Sequence, residues 1–291
     1  MNVFVTGATG LLGSRVVEFL LSKKHTVTII TRDKNIAKKK FNQCQIVKIL
    51  EGDITKEGAW QAEAEQSDSI LHFAGAGIVD KRWSASYKKV LWDSRVESTK
   101  RVAEVSNKVL VCASATGFYG DRDDEKLTEE SSPGLGFLSE LCKSWEDAAM
   151  TANGRTVCLR FGMILDNRGG VLAKMRPIIK WGLGGPLATG RQYWPWISWE
   201  DAVSIVDESM NTDWHGAVNA VAPQQLTCTE FIKTLSNHLR RPAFFKVPNF
   251  ALRGIVGEGS QVLTASQRVL PSKLIAHGFE FKYPEFQDIF N

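Results

Sequence analysis

Close to its N-terminus the chain reads Val3-Phe-Val-Thr-Gly-Ala-Thr-Gly-Leu-Leu-Gly13, an apolar run that leads into three glycines, each three residues from the next. Ser14-Arg-Val-Val-Glu-Phe-Leu-Leu21 follows with the apolar spacing of a helix. Strand, glycine turn and helix in this order are typical of a dinucleotide site, because the helix N-terminus offers free N–H groups to phosphates. The opening of the chain therefore predicts a bound dinucleotide.

The glycines of this turn have separate predicted roles. Gly7 allows a tight turn, Gly10 allows the backbone to approach a pyrophosphate, and Gly13 lets the helix pack close to the strand. The spacing differs from the commoner Gly-x-Gly-x-x-Gly, but a second β-type run, Val27-Thr-Ile-Ile30, supports a βαβ unit. The predicted cofactor contacts in the turn are Gly7, Thr9, Gly10, Leu11, Leu12 and Gly13.

The composition indicates an ordinary soluble globular protein. Of the 291 residues, 43% are hydrophobic and 23% are charged, and the net charge is +4. No basic stretch is interleaved with aromatic residues as in a nucleic-acid surface, and no apolar run approaches the ~18 residues of a membrane helix. We therefore expect neither a nucleic acid nor a membrane as a partner.

The cysteines and the first residues indicate a reducing compartment. The five cysteines are an odd number without Cys-x-x-Cys spacing, so we predict neither a disulfide framework nor a zinc site or other metal site. The N-terminus enters a strand without the regions of a signal peptide. We expect a cytoplasmic protein. The cysteines are Cys44, Cys112, Cys142, Cys158 and Cys228.

β-type and helical runs alternate through the first half of the chain. This predicts an α/β fold, with a Rossmann-like, doubly wound parallel sheet whose ligand lies beyond the carboxyl ends of the strands. The predicted strands are Val3–Val5, Val27–Thr31, Ile46–Leu50, Ser69–Phe73, Lys108–Ala113 and Thr156–Phe161. The predicted helices are Ser14–Ser22, Asn35–Lys40, Ala85–Val105 and Leu138–Ala152.

After residue 165 the pattern changes, because clustered glycines break up the chain and Tyr193-Trp-Pro-Trp-Ile-Ser-Trp199 is dense in aromatic residues. We expect a smaller C-terminal lobe on the substrate side. The predicted NAD(P)-binding domain is residues 1–165, with about 195–222 returning to it. The predicted substrate-binding lobe is residues 166–194 and 223–291.

Two features of the second half carry structural predictions. Trp194, Trp196 and Trp199 form either a wall against a substrate ring or a core layer between the lobes. Thr227 is expected to cap a helix over Thr229–Leu239.

The residues after the second predicted strand distinguish the two nicotinamide cofactors. NAD sites place a carboxylate there for the ribose hydroxyls, but this strand ends in Thr31 and is followed by Arg32. A hydroxyl and a guanidinium bind a 2′-phosphate that a carboxylate would repel. The sequence therefore predicts NADP(H) in preference to NAD(H).

Further cofactor candidates follow the third and fourth predicted strands. The Asp53 side chain can accept a hydrogen bond from an adenine amino group. Its neighbour Ile54 is a further predicted cofactor contact. The stretch Phe73-Ala74-Gly75 allows backbone to lie against the ribose and the pyrophosphate. His72, in the same apolar run, is expected to be a hydrogen-bonded core residue rather than a catalytic base.

Several stretches together resemble one protein family. They are Gly-Ala-Thr-Gly-Leu-Leu-Gly from residue 7, Gly-Asp-Ile from 52, Phe-Ala-Gly-Ala from 73, Ser-Ala-Thr-Gly-Phe-Tyr-Gly from 114 and Leu-Arg-Phe-Gly-Met-Ile-Leu from 159. The chain resembles the extended short-chain dehydrogenases/reductases. More narrowly, it resembles their atypical NAD(P)-dependent epimerase/dehydratase-like group, often labelled sugar-nucleotide epimerase or cell-division-inhibitor-like. The subgroup motifs are Ser94–Thr99, Trp196–Asp201, Gln267–Pro271 and Gly278–Pro284.

The resemblance implies a Rossmann-like domain, a smaller C-terminal substrate region, and hydride transfer between the nicotinamide and a sugar carbon. In the family, a Ser or Thr and the Tyr of a Tyr-x-x-x-Lys motif handle the proton, and the Lys lowers the pKa of the Tyr. The implied cofactor contacts are Thr31, Arg32, Phe73, Ala74, Arg95 and Arg160.

This sequence departs from the family pattern at the proton-transfer residues. The helix expected to carry them reads Phe137-Leu-Ser-Glu-Leu-Cys-Lys-Ser-Trp-Glu146. In one alignment Phe137 and Leu141 replace the tyrosine and the lysine, and in the other Leu138 and Cys142 replace them. The Tyr–Lys pair is therefore missing in both alignments.

The remaining candidates for proton transfer are Ser114, Tyr119 and Thr116. Ser114 lies near the position of the family's catalytic Ser or Thr, and Thr116 is its rival because the spacing to Tyr119 differs by one residue. Tyr119 is either the remaining phenol near the nicotinamide or a packing residue at a strand end. Lys143 lies on a different helical face and cannot replace the missing lysine.

Three functions agree with these residues. The first is an NADP(H)-dependent oxidoreductase or epimerase that acts on a nucleotide sugar, or a related small polar substrate, through a non-standard proton relay. The second is a reductase of another small carbonyl compound. The third is an NADP(H)-binding regulatory protein with little or no catalysis. We expect a monomer or homodimer. Candidate cations for a substrate diphosphate are Lys81, Arg82, Arg176 and Arg191.

Overall fold

The structure, a computed structural model, describes residues 1–41 and 47–290. Cys44 and Ile46, which belong to two of the predictions above, lie outside the described residues. The strands are β1 (Asn2–Thr6), β2 (Thr26–Thr31), β3 (Val47–Glu51), β4 (Ser69–His72), β5 (Val109–Ala115), β6 (Lys126–Leu127), β7 (Arg155–Phe161), β8 (Met163–Asp166), β9 (Trp196–Ser198), β10 (Gly216–Ala220) and β11 (Arg268–Val269). The α-helices are α1 (Leu11–Ser22), α2 (Lys34–Lys40), α3 (Trp60–Glu65), α4 (Ala85–Trp92), α5 (Ser98–Glu104), α6 (Phe137–Ala149), α7 (Gly170–Lys180), α8 (Trp199–Asn211), α9 (Cys228–His238), α10 (Asn249–Val256), α11 (Gln261–Thr264) and α12 (Ser272–Ala276).

Within this described part, seven strands form one sheet in the order β10-β7-β5-β4-β1-β2-β3, and all neighbours run parallel. The strand order reverses beside β1, since the chain moves outward to β3 and then returns to β4. The predicted α/β, doubly wound parallel sheet is confirmed. Because all the carboxyl ends lie at one edge, the segments after β1, β2, β4 and β5 meet there.

In the first half of the chain, the helices agree with the predictions apart from one break and one omission. The predicted helix Ala85–Val105 consists of α4 and α5, separated by a π-helical turn at Asp93–Glu97 that contains Arg95. The sequence pattern does not predict α3, because six residues are too few for a periodic signal. Among the described residues, no helix combines the length and the apolar character needed to cross a bilayer.

Apolar side chains cover both faces of the sheet. Val5, Val111 and Leu159 point to the face on which α1 and α8 pack. Their neighbours Phe4 and Leu110 point to the opposite face, towards α5 and α6. All five side chains are fully buried. This alternation along the strands gives a core layer on each side of the sheet.

A buried ion pair joins the two halves of the chain. Arg15 of α1 donates hydrogen bonds of 2.7 and 2.6 Å to the two carboxylate oxygens of Asp166, at the end of β8. The guanidinium carbon of Arg15 also lies 3.9 Å from the ring centroid of Trp199. This bidentate pair fixes α1 against the segment that leads into the second half.

The aromatic segment contributes to a third apolar cluster in the C-terminal region. Trp196 is fully buried and packs edge-on against Phe286, while Trp194 packs against Phe231. Trp196 therefore belongs to the core, which was one of the two alternatives, whereas Trp194 is part of the core and also lines a cavity beyond the end of β5. The predicted cap of α9 is also present, because the Thr227 hydroxyl accepts from the Glu230 N–H at 3.3 Å.

His72, at the carboxyl end of β4, is a core residue as predicted. It is fully buried, and its Nδ1 lies 2.7 Å from Thr6 Oγ1. Its Nε2 lies 3.4 Å from Ser98 Oγ. Burial lowers the pKa of the imidazole to about 3, so the folded protein holds it in the neutral form at neutral pH.

The buried imidazole makes stability depend on pH. His72 titrates near pH 6.5 in the unfolded chain and near pH 3 in the folded protein, so between these values the unfolded state binds more protons. The free energy of unfolding should therefore fall as the pH is lowered through this window, by up to about 1.4 kcal/mol per pH unit. Urea unfolding should show a smaller slope for His72→Gln than for the wild type, and equal slopes would contradict the assignment.

Candidate functional site

The cleft lies where the carboxyl ends of β1 and β4 meet. Gly7 follows β1 with a φ angle of 67°, and a Cβ atom there would lie 2.5 Å from the carbonyl carbon of Phe73. A Cβ atom at Gly13 would lie 2.3 Å from the carbonyl oxygen of Gly7. Both positions therefore require glycine. As a result, the N-terminus of α1, at Leu11, lies close to the edge of the sheet.

A cavity of about 280 Å³, here called the glycine-loop cavity, occupies this edge. It brings together segments that follow β1, β2, β3 and β4. The predicted cofactor residues that line it are Gly7, Thr9, Gly10, Thr31, Arg32, Asp53, Ile54, Phe73, Ala74 and Gly75. Leu11, Leu12 and Gly13 form the first turn of α1 and do not line this cavity.

The end of β2 presents a cation to this cavity. Arg32 is exposed and lines the cavity wall. Asp33, the next residue, caps α2 instead, since its Oδ1 accepts hydrogen bonds from the N–H groups of Asn35 and Ile36 at 2.8 and 3.2 Å. The carboxylate that follows β2 is thus engaged with a helix, while the guanidinium remains beside the cavity.

Asp53, after β3, supplies an acceptor on the same wall. Its Oδ1 accepts hydrogen bonds from the backbone N–H and the hydroxyl of Thr55 at 3.0 and 2.8 Å. Burial acts to raise the pKa of the Asp53 carboxyl, but these bonds, with the charges of Lys56 and Arg32, bring it below its usual value. Asp53 is therefore an anionic acceptor at neutral pH.

A second cavity, of about 350 Å³, lies beyond the end of β5 and is here called the β5 cavity. Most of the residues that line it are apolar, including Ile78, Trp145, Phe161 and Met163. The polar side chains that line it are Arg95, Ser114, Thr116, Tyr193, Gln261 and Gln267.

Arg95 lies at the junction of the two cavities. Arg95 lines the β5 cavity, whereas Gly75 lines the glycine-loop cavity. The two residues are close, because a Cβ atom added at Gly75 would lie 3.2 Å from the guanidinium carbon of Arg95. Its Nη2 donates to the carbonyl oxygen of Ala76 at 2.9 Å, and its Cζ lies 5.3 Å from the Trp145 ring centroid. Burial lowers the pKa of the Arg95 guanidinium, yet arginine keeps its charge in proteins.

Ser114, at the end of β5, is tied to a carboxylate behind the cavity wall. Its Oγ donates a hydrogen bond of 2.6 Å to Glu146 Oε1 of α6. Arg160, beside Ser114 in the sheet, donates to the same carboxylate from Nε and Nη2 at 2.9 and 2.8 Å. The exposed fractions of Ser114, Glu146 and Arg160 are only 4%, 8% and 4%. Ser114 is thus the member of this group that lines the cavity.

Arg160 was predicted to contact the cofactor, but it does not line the glycine-loop cavity with the other predicted cofactor residues. Besides binding Glu146, it donates from Nη1 to the Tyr119 hydroxyl at 2.8 Å and stacks on Phe118, with its Cζ 3.5 Å from the ring centroid. Burial acts to lower the pKa of the guanidinium, and the bonds with Glu146 raise it above its usual value. Arg160 lines neither cavity.

Tyr119 is also an internal residue. It is fully buried, and its hydroxyl donates to Asn219 Oδ1 at 2.6 Å. Burial raises the pKa of the phenol to about 12. Because Tyr119 lines neither cavity, the structure supports its packing role and not its role as a proton donor. Ser114 and Thr116 both line the β5 cavity.

The face of α6 towards the β5 cavity is apolar. Leu138, Leu141 and Cys142 line it, and they include three of the four positions where the two alignments would place the tyrosine and the lysine. Burial raises the pKa of the Cys142 thiol to about 12, so this thiol is neutral at neutral pH. Lys143 is directed away and pairs with Asp147. This helix therefore offers the cavity neither a tyrosine nor a lysine.

Sequence reasoning missed Glu146 as a functional candidate. A signal was present, because a carboxylate on the apolar face of a helix needs a buried cationic partner, and Arg160 stands within an apolar strand. In the C-terminal wall of the β5 cavity, Tyr193 and Gln267 belong to segments that the sequence analysis singled out, but sequence reasoning missed Gln261, Val262 and Ala265. No local pattern marks these three residues, since tertiary packing decides which loop closes a cavity.

The four cations predicted to meet a diphosphate do not line either cavity. Arg82 donates to the carbonyl oxygen of Arg253, and Lys81 lies over the ring of Tyr87. Arg176 and Arg191 are likewise absent from the described walls of both cavities.

The parallel sheet, the glycine turn and the two adjoining cavities define an NAD(P)-binding protein of the extended short-chain dehydrogenase/reductase class. Residues 3–136 match the model of the NAD dependent epimerase/dehydratase family, and residues 247–291 match a domain of unknown function, DUF1731. The chain belongs to this epimerase family, among the proteins that resemble SDR39U1.

Two of the similar proteins cover nearly the whole chain. The chloroplastic SDR39U1 homologue of Arabidopsis thaliana is 36% identical over an alignment of 299 residues, which covers 99% of this chain and 85% of the relative. The crystal structure of human SDR39U1 (isoform 2) with NADPH matches with a TM-score of 0.87 and 27% identity, over 100% of this chain and 98% of that one. The predicted family is therefore confirmed.

A third similar protein is the nucleoside-diphosphate sugar epimerase of Corynebacterium glutamicum. Its structure matches with a TM-score of 0.78 and 29% identity. The match covers 99% of this chain and 57% of that protein.

Gly10 offers a way to separate nucleotide binding from folding. Its φ of −71° suits any residue, and a Cβ atom there would approach only the Gly7 carbonyl oxygen, at 3.1 Å. Because Gly10 lines the glycine-loop cavity, Gly10→Val should fill the phosphate position and weaken binding of a nicotinamide dinucleotide by about 100-fold or more, or about 2.7 kcal/mol. Calorimetric titration measures this loss, and thermal unfolding should change little.

Gly13→Ala is the contrasting control, because its added Cβ would collide with backbone and should lower the unfolding temperature. Undiminished dinucleotide binding by Gly10→Val would show that the glycine turn has a purely structural role.

Proposed function

We propose that this protein is an NADP(H)-dependent oxidoreductase that transfers hydride between the nicotinamide and a small substrate in the β5 cavity. The observation that carries the proposal is the junction of the two cavities, with Arg32 on the wall of one and Ser114 on the wall of the other. The bound nicotinamide supplies or accepts the hydride. The residues of the chain hold the cofactor and handle the proton.

The residues present fit such a cofactor. Gly7 and Gly10 leave the space beside the N-terminus of α1 that a pyrophosphate needs. We assign Arg32 to a 2′-phosphate, Asp53 to an adenine amino group, and Arg95 to the charge near the pyrophosphate. The NADPH of the human SDR39U1 structure supports the choice of NADP(H).

The substrate side is proposed to come from the C-terminal lobe, residues 166–194 and 223–291, because Tyr193, Gln261 and Gln267 line the β5 cavity. We place the protein in a reducing compartment, the cytoplasm, and the free thiols of the described cysteines support this.

The lining of the β5 cavity bears on the substrate. The Corynebacterium glutamicum epimerase favours a nucleotide sugar for this chain. However, the cavity is largely apolar, and Arg95 is the single cation among its described lining residues. A diphosphate is bound best by several cationic or N–H donors. This observation favours the second candidate function, reduction of a small carbonyl compound of limited polarity.

The cofactor preference can be measured directly. NADPH should bind more tightly than NADH, and Arg32→Ala should weaken NADPH by about 10- to 100-fold, since hydrogen bonds to charged groups contribute about 1.5–3 kcal/mol. Binding of NADH should hardly change, because it lacks the 2′-phosphate. Fluorescence titration provides both constants, and Lys39→Ala, on the exposed side of α2, is the matched control. Equal affinity of the wild type for both cofactors would contradict the preference.

The substrate class is tested by turnover. With saturating NADPH, small aliphatic and aromatic ketones and aldehydes should support NADPH oxidation, whereas UDP- and dTDP-sugars should not. The physical reason is that the apolar wall favours burial of apolar surface and provides little for a diphosphate. Because an epimerase regenerates its cofactor and causes no net NADPH oxidation, the nucleotide sugars are also analysed for inversion at a ring carbon. Inversion of these sugars without conversion of the carbonyl compounds would return the assignment to an epimerase-like reaction.

A further inference from the structure

We infer that Ser114, Glu146 and Arg160 form a proton relay that takes the place of the missing Tyr–Lys pair. This inference rests on the proposed hydride transfer. Ser114 is the catalytic member, because it lines the β5 cavity. Glu146 and Arg160 act through Ser114 and are positioning residues.

The geometry suits transfer of a proton out of the cavity. The 2.6 Å between Ser114 Oγ and Glu146 Oε1 is the usual length of a hydroxyl–carboxylate hydrogen bond. Because Ser114 donates its single proton to Glu146, its oxygen can only accept from a group in the cavity. A substrate hydroxyl is such a donor. Arg160 holds the carboxylate through two hydrogen bonds and balances its charge.

The step balances in both directions. When an alcohol is oxidised, its C–H bond breaks and the electron pair leaves with the hydrogen as hydride for the nicotinamide. The alcohol O–H bond also breaks, and its proton forms a new bond to Ser114 Oγ while the original Ser114 proton moves to Glu146. The products are a carbonyl compound, an unchanged serine and a protonated Glu146. Reduction uses the same bonds in reverse.

Among the residues that the structure describes, Arg160 is the charged group that forms an ion pair with Glu146. Burial raises the pKa of each of the three nearby thiols, so they are neutral at neutral pH. The titratable side chains that face Glu146 are Arg160 and Cys158 from β7, Cys112 from β5, Cys142 from α6 and, beyond Arg160, Tyr119.

The test is the pH dependence of kcat for alcohol oxidation by the wild type, Ser114→Ala and Glu146→Gln. Both variants should lower kcat by about 10²–10⁴-fold, the usual contribution of general acid–base catalysis. Both should also differ from the wild type in the pH profile of kcat, because the proton acceptor is absent in Glu146→Gln and disconnected from the cavity in Ser114→Ala. The dissociation constant of NADPH should stay unchanged, and the double variant should be no slower than either single variant.

Two further variants separate chemistry from folding. Asp166→Asn removes the carboxylate charge of the other buried pair, Arg15–Asp166, which lines neither cavity. It should lower the unfolding temperature, as Glu146→Gln does, but keep the wild-type pH profile. Glu146→Asp keeps the carboxylate and should recover part of kcat. If Glu146→Gln fails to fold, Ser114→Ala still tests the relay, since it leaves the ion pair in place.

The outcomes distinguish the relay from the function on which it depends. A wild-type pH profile in Ser114→Ala, or an undiminished kcat in Glu146→Gln, would overturn the relay and leave hydride transfer standing. A wild type that binds NADPH but converts no substrate would overturn the proposed function, and the relay with it. Independently of turnover, the unfolding free energies of the two single variants should not add in the double variant, and strict additivity would also overturn the relay.

Discussion

The close approach of two backbone segments, Gly7 after β1 and Phe73 after β4, is the constraint on which the cleft depends. A Cβ atom at Gly7 would lie 2.5 to 2.7 Å from backbone atoms of Phe73 and Ala74. β1 and β4 are parallel neighbours, so the segments that leave them compete for the same space. Glycine resolves that competition, and α1 can then begin at Leu11 with its N-terminus at the sheet edge. Any larger residue at position 7 would move the helix start away from the phosphate position.

Two buried arginine–carboxylate pairs hold the elements on either side of this cleft. Arg15 and Asp166 join α1 to the end of β8, whereas Arg160 and Glu146 join β7 to α6. Burying such charges carries a large desolvation cost, which only good geometry and additional hydrogen bonds offset. Both pairs are bidentate. Each also has a further partner, which is the Trp199 ring beside Arg15 and the Ser114 hydroxyl beside Glu146. Their main consequence is orientation, because α1 and α6 each adjoin one of the two cavities.

Local patterns explain why the sheet and the glycine-loop cavity could be predicted from the sequence. Strand periodicity, the glycine turn and the residues after β2 are all contained in short segments, and parallel pairing brings their ends to one edge. The roles of Arg160 and Tyr119 were harder to predict, because a motif places a residue near a site but does not determine which way its side chain points. In the structure, Arg160 turns towards Glu146, and Tyr119 turns towards Asn219. The part of the β5 cavity wall formed by Gln261, Val262 and Ala265 depends on long-range packing and has no local signature.

α6 shows how an apolar cavity wall and proton transfer can coexist. Leu138, Leu141 and Cys142 make its face towards the β5 cavity unsuitable for holding a proton or a charge. Glu146, one turn beyond Cys142, is directed behind that wall, where Arg160 compensates its charge. In the proposed relay, Ser114 is the link, because it contacts both the cavity and the buried carboxylate. The wall can then favour a substrate of low polarity while the acceptor for its proton lies out of the cavity, in a setting already organised to hold a charge.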